Sequence, residues 1–147
     1  MDSIDKKLED FFRKYETIFN ESLAGTIDIE ETVNSFSDGF IEANPFGVLC
    51  GKNDEQFRTA LTQGYEFYKL IGTKSMNIGS IEVSSLDKYH SMVKVHWHSV
   101  YNRKDGREEQ IEFDVIYFVQ TIDKNPKIFA YITGDEQGIL REKGLIP

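Results

Sequence analysis

Apolar residues recur every three or four positions through the first seventy residues and every second position thereafter. In the first stretch Leu8, Phe11, Phe12, Tyr15, Ile18, Phe19, Ser22 and Leu23 fall on one side of a helical wheel, which predicts an amphipathic helix over 3–23. Asp2 and Asp5 suit its positive end, and Gly25 stops it. Asp28 with Glu31 three residues on is a capping pattern and predicts a short helix over 28–36. Ser37-Asp38-Gly39 turns the chain, Phe40 to Ala43 reads as extended, and Pro45 biases Asn44 away from the helical region. Asn53 is the expected N-cap of a third helix over 53–71, lined by Phe57, Ala60, Leu61, Gly64, Phe67, Tyr68 and Ile71 and ended by Gly72.

Past Gly72 the alternation predicts strands over about 74–86, 89–102, 107–121 and 127–135. Lys104-Asp105-Gly106 reads as a three-residue hairpin loop with glycine in the left-handed position, so Arg103 pairs with Arg107. In that register Val93, Val95, Trp97, Ser99 and Tyr101 share a face with Ile111, Phe113, Val115 and Tyr117. Lys94, His96 and His98 share the other face with Glu112 and Asp114. A one-residue slip would mix the apolar row with the acidic one, so the register is well determined. Helices followed by a meander imply an α+β fold. The expectation is a single domain over 1–147, with three N-terminal helices packed on the concave face of a cone-shaped, curved antiparallel sheet.

Charge narrows the partners. The net charge of −8 argues against nucleic acid, whose phosphates need a basic patch. The one cysteine, Cys50, precludes an internal disulfide and agrees with a reducing compartment. No apolar run has membrane length and the first residues carry no signal-type core, so no membrane association and a cytoplasmic location are expected.

The order of these elements resembles the ketosteroid-isomerase-like superfamily, also called the nuclear transport factor 2-like fold. The local match is Glu42-Ala43-Asn44-Pro45-Phe46-Gly47, followed by Gly51 and a helix. In the isomerase the same place reads Asp-Pro-x-Gly, then Gly and a helix. The ending Tyr131-Ile132-Thr133-Gly134-Asp135-Glu136 is similar to the last strand of polyketide-cyclase-like relatives. The resemblance implies a homodimer and a hydrophobic pocket. It also implies roles: the isomerase's donor tyrosine falls on Tyr15, its base aspartate on Asn44 and its donor aspartate on Val115. An amide takes up no proton at neutral pH, so steroid isomerisation is not expected.

Two classes of function remain. In the first, the chain is a small-molecule-binding protein or an enzyme of the cyclase/dehydratase type acting on a hydrophobic compound. Tyr15, Asn44 and Asp135 then supply polar contacts, with Asp135 and Tyr15 as the acid–base candidates. Trp97, Tyr101, Phe113, Val115, Tyr117 and Tyr131 supply the walls. In the second, the cone is filled by its own aromatics and the chain is a non-catalytic homodimeric interaction module. Tyr15 then reads as a core tyrosine, Asn44 as a turn residue and Asp135 as the cap of a last helix. His96-x-His98 with Glu112 and Asp114 has metal-like composition, but surface histidines paired with carboxylates account for it. No residue pattern requires a metal or cofactor.

Overall fold

In the computed structural model, which describes residues 3–25, 27–123 and 125–147, helices come first and a meander follows. The described elements are α1 (Ser3–Ala24), α2 (Glu30–Asn34), β1 (Phe36–Asn44), β2 (Gly47–Lys52), α3 (Glu55–Leu70), β3 (Thr73–Ser85), β4 (His90–Asn102), β5 (Glu108–Gln120), β6 (Lys127–Ile132) and α4 (Glu136–Glu142). They form one curved, unclosed sheet in the order β2-β1-β6-β5-β4-β3, with α1 packed against it.

The register read from the hairpin holds. Trp97 lies opposite Phe113, Val95 opposite Val115 and His96 opposite Asp114. Arg103 N–H donates to Arg107 C=O at 2.7 Å, and Gly106 has φ +89°. The meander from β3 to β6 is antiparallel, and the sheet as a whole is mixed because β1 joins β6 in parallel.

Several boundaries move for identifiable reasons. The extended piece at 40–43 is the middle of a longer strand, β1, which turns at Pro45-Phe46 into the unexpected β2. Strand β2 gave no alternation because it is an edge with both faces open: Val48 is 67 % and Leu49 65 % exposed. Helix α2 begins at Glu30, with Asp28 accepting from the Glu30 N–H at 3.1 Å. The cap of α3 is Asp54, which accepts from the Phe57 N–H at 3.1 Å. Asn53 instead donates to the carbonyls of Val33 and Phe36 at 2.9 and 3.1 Å, tying the chain before α3 to α2 and β1. Asp2 lies outside the described residues.

The core forms where α1 crosses the sheet. Leu8 and Phe12 are fully buried against Val93, Val95, Trp97 and Tyr117. Helix α1 also covers the free edge of β3. Asn20 donates to the Met76 carbonyl and accepts from its N–H, both at 2.8 Å, while Glu16 accepts from the Ile78 N–H. One sheet edge is thereby sealed and the other, β2, is left bare. A second cluster, Tyr101, Ile111 and Leu140, anchors α4 at the far end. No helix among the described residues is long and apolar enough to cross a membrane.

Candidate functional site

The concave faces of β4, β5 and β6 bring together most of the aromatic residues expected there, in two groups. Trp97, Tyr117, Tyr131 and Tyr15 form the first. Trp97 Nε1–H donates to Tyr117 Oη at 3.2 Å. The Tyr15 ring lies 6.3 Å from Trp97 and 6.4 Å from Tyr117, and Tyr131 is 6.5 Å from Tyr117. Burial pushes the Tyr15 phenol well above its ordinary range, and its hydroxyl has no hydrogen-bond partner among the described residues. Burial also raises Tyr131, and Glu42 beside it adds to the rise.

Tyr101, Phe113 and Val115 form the second group. With Ile111, Ile139 and Leu140 they line a cavity of about 70 Å³ between the sheet and α4. Thr133, Gly134 and Glu136 complete the lining, Gly134 and Glu136 on the exposed side. The Tyr68 hydroxyl donates to Glu136 Oε1 at 2.6 Å. Burial raises the Glu136 carboxyl above its ordinary value, and the Tyr68 hydrogen bond opposes that rise. Burial, and then the Glu136 charge, push the Tyr68 phenol well up. A carboxyl beside a hydrocarbon-lined cavity, hydrogen-bonded to a phenol behind it and shifted toward keeping its proton, is an arrangement able to hold or move one proton.

Asn44 and Asp135 are placed elsewhere. Asn44 Oδ1 accepts from the Phe46 N–H at 2.9 Å, holding the β1–β2 turn. Asp135 accepts from the Gly138 N–H at 2.9 Å as the N-cap of α4. It was expected at the mouth because the alternation was carried to residue 135, whereas β6 ends at Ile132. Beyond that point the chain turns into α4, and the next residue, Glu136, lines the cavity instead. Tyr68 was assigned only to the apolar side of α3. Nothing in the local sequence distinguishes its hydroxyl, whose partner lies 68 residues away. Tyr15 also borders a separate groove of about 320 Å³ between α1, α2 and the start of β6, lined by Lys14, Glu31 and Lys127 among others. Neither space brings Tyr15 and Asn44 together.

The histidine row faces outward. His96 Nδ1 is 2.7 Å from Asp114 Oδ1 and its Nε2 is 3.3 Å from Glu112 Oε1, while His98 Nδ1 is 3.9 Å from Glu112. These are ion-pair contacts, and no cluster among the described residues has the makings of a metal site. Hydrogen bonds to Asp114 and then Glu112 raise His96 above its ordinary 6.5. A raised folded-state value means the stabilisation is complete below the unfolded value and is lost as pH rises through the folded one. Titrated by NMR, His96 is expected to show a pKa above 6.5, moving down in Asp114→Asn. An unmoved His96 in that variant would remove the assigned cause.

Comparison with known proteins follows the same lines. The family profile described as NTF2-like protein (DUF6841) matches residues 5–136. No curated protein matches the chain. Among solved structures, the fold is similar to an NTF-2-like protein of unknown function from Shewanella oneidensis MR-1, with TM-score 0.66 and 15% identity over 89% of this chain and 98% of that one. A ketosteroid isomerase-like protein from Erwinia carotovora atroseptica gives TM-score 0.63 and 15% identity over 91% and 97%. The beta subunit of the benzoate 1,2-dioxygenase from Burkholderia mallei gives 0.66 and 14% over 95% and 94%. At such identities the likeness carries the fold alone. The profile match spans most of the chain, and the chain belongs to the NTF2-like protein family DUF6841.

Proposed function

We propose that this protein binds a small, largely apolar molecule in the cavity between α4 and the concave sheet face, with Glu136, held by the Tyr68 hydroxyl, as its polar anchor. The observation that carries this reading is the Glu136 carboxyl, hydrogen-bonded to a phenol beside a space lined mostly by Tyr101, Ile111, Phe113, Val115, Ile139 and Leu140. Apolar walls with a few convergent polar groups are the usual make-up of a ligand site. The chain's family and its likeness to a ketosteroid isomerase-like protein support the reading. Any acid–base step of the cyclase/dehydratase type at this site falls to Glu136 and Tyr68, not to Asp135, whose carboxylate is occupied as a cap. Steroid isomerisation is not proposed, because the resemblance puts Asn44 and Val115 at the positions of the isomerase's base and donor. A panel of small branched and cyclic compounds, followed by methyl NMR at Ile111, Val115 and Ile139, is expected to give at least one ligand shifting all three. Ile139→Phe, which fills the space from a partly exposed position, is expected to abolish that shift. A panel that moves none of them would overturn the reading.

A second reading rests on the outer sheet face. In strand register, Cys50, Ile41, Ala130, Phe118 and Met92 form one row across five strands. Val48, Ala43, Ile132 and Ile116 form the next. A continuous apolar band of this kind marks an interaction surface. We propose that it is covered by a second copy of the chain, a homodimer in the cytoplasm, where the exposed thiol of Cys50 stays reduced. Light scattering at micromolar concentration is expected to give twice the 17.0 kDa of one chain, and Phe118→Glu to halve it. A monomer in the unmodified protein would sink the homodimer. The cavity of about 70 Å³ is small beside typical ligand sites of roughly 300–1,000 Å³, which favours a module of this second kind if no ligand opens it.

A further inference from the structure

Building on the ligand-site reading above, we infer that the cavity under α4 takes a small alkylammonium, its cationic head at Glu136 and a short branched tail inside. Polarity is distributed for such a molecule. Glu136 is the one charged residue in the lining, and it stands on the exposed side. The depth of the cavity is hydrocarbon from Ile111, Val115 and Leu140, all buried. A volume of about 70 Å³ admits a short tail and not a fused ring system.

Glu136 accepts one hydrogen bond from the Tyr68 hydroxyl, and as a carboxylate it keeps acceptor capacity for a charged donor. An ammonium head offers that carboxylate hydrogen bonds and an opposite charge together, where a neutral hydroxyl offers a hydrogen bond alone. No lysine, arginine or histidine among the described residues pairs with Glu136, so its charge is available to a ligand. The aromatic rings of Tyr101 and Phe113 line the same space, and their faces attract a positive head group. The net charge of −8 draws cations toward the protein and repels carboxylates and phosphates.

The probes are 3-methylbutylamine, cationic at pH 7, and its neutral isostere 3-methyl-1-butanol, titrated by NMR into the full chain and into Glu136→Gln. The amine is expected to bind about tenfold or more tightly than the alcohol, as charge-assisted hydrogen bonds allow. Glu136→Gln is expected to erase that preference, so that the two probes bind alike. A second readout needs no variant. Lowering the pH through the Glu136 titration is expected to weaken the amine alone, since Tyr68 and Tyr101, the other ionisable groups facing the carboxyl, stay protonated throughout. Equal binding of the two probes, or an amine affinity indifferent to both Glu136→Gln and pH, would overturn the ammonium assignment while leaving the ligand site standing. Binding of neither would overturn both.

Discussion

Phe12→Ala is expected to lower the unfolding free energy by about 3–5 kcal/mol, the largest loss of any single truncation in α1. Phe12 is 0 % exposed and touches the sheet through Tyr117, whose ring centre is 4.8 Å away. Phe11 meets it edge-on at 5.0 Å and Tyr15 lies at 6.4 Å. These neighbours are rigid rings held by their own contacts, among them the Trp97–Tyr117 hydrogen bond, so they do not collapse into the space left behind. The cost therefore includes the cavity as well as the lost burial. Urea unfolding should show a lowered midpoint with an unchanged slope. Phe46→Ala is the matched control: Phe46 is 80 % exposed at the tip of the β1–β2 turn and should change stability by no more than about 0.5 kcal/mol. A Phe12→Ala loss below about 1 kcal/mol would mean that α1 does not pack on the sheet as described.

Gly72→Ala is expected to cost about 2–4 kcal/mol, from two sources that a second glycine separates. Gly72 joins α3 to β3 at φ +86°, a conformation that costs an L-residue roughly 1–2 kcal/mol. Its added Cβ would also lie 2.2 Å from the carbonyl oxygen of Asn102. That oxygen cannot swing aside freely, because the Asn102 N–H donates to the Gly72 carbonyl at 2.7 Å and locks the two segments together. Gly106 has nearly the same φ, +89°, but nothing within 4 Å of its would-be Cβ. Gly106→Ala should therefore show the conformational cost alone, about 1 kcal/mol. Equal losses at the two positions, measured by chemical denaturation, would remove the steric part of the argument.

The sheet was legible in the sequence wherever one face was buried and the other wet. Val93, Val95 and Trp97 alternate with Lys94, His96 and His98 because core and solvent alternate there, and that contrast set strand, register and hairpin together. Strand β2 lacked the contrast, since Val48 and Leu49 are both exposed. The parallel β1–β6 pair left no trace either, because parallel pairing is set by topology and not by a local turn. Of the expected wall residues, Tyr101, Phe113 and Val115 line the cavity under α4, while Trp97, Tyr117 and Tyr131 pack in the core beside α1. The polar end of that cavity was not legible. Asp135 and Glu136 are adjacent carboxylates, and only the point at which β6 gives way to α4 decides which one caps the helix and which one borders the cavity. The Tyr68–Glu136 contact bridges 68 positions and carries no periodic signature.

The parallel pairing of β1 with β6 has a consequence for how the chain emerges from the ribosome. Ile41 meets Ala130 and Ala43 meets Ile132, partners separated by roughly ninety residues. Synthesis runs from the N-terminus, so α1, with Leu8 and Phe12 bare, and the β1–β2 hairpin are complete long before the strands that cover them exist. The nascent chain carries an unshielded aromatic stripe and an open strand edge until β6 is released, and that interval, more than the finished fold, is when this sequence is most exposed to aggregation and most in need of a chaperone.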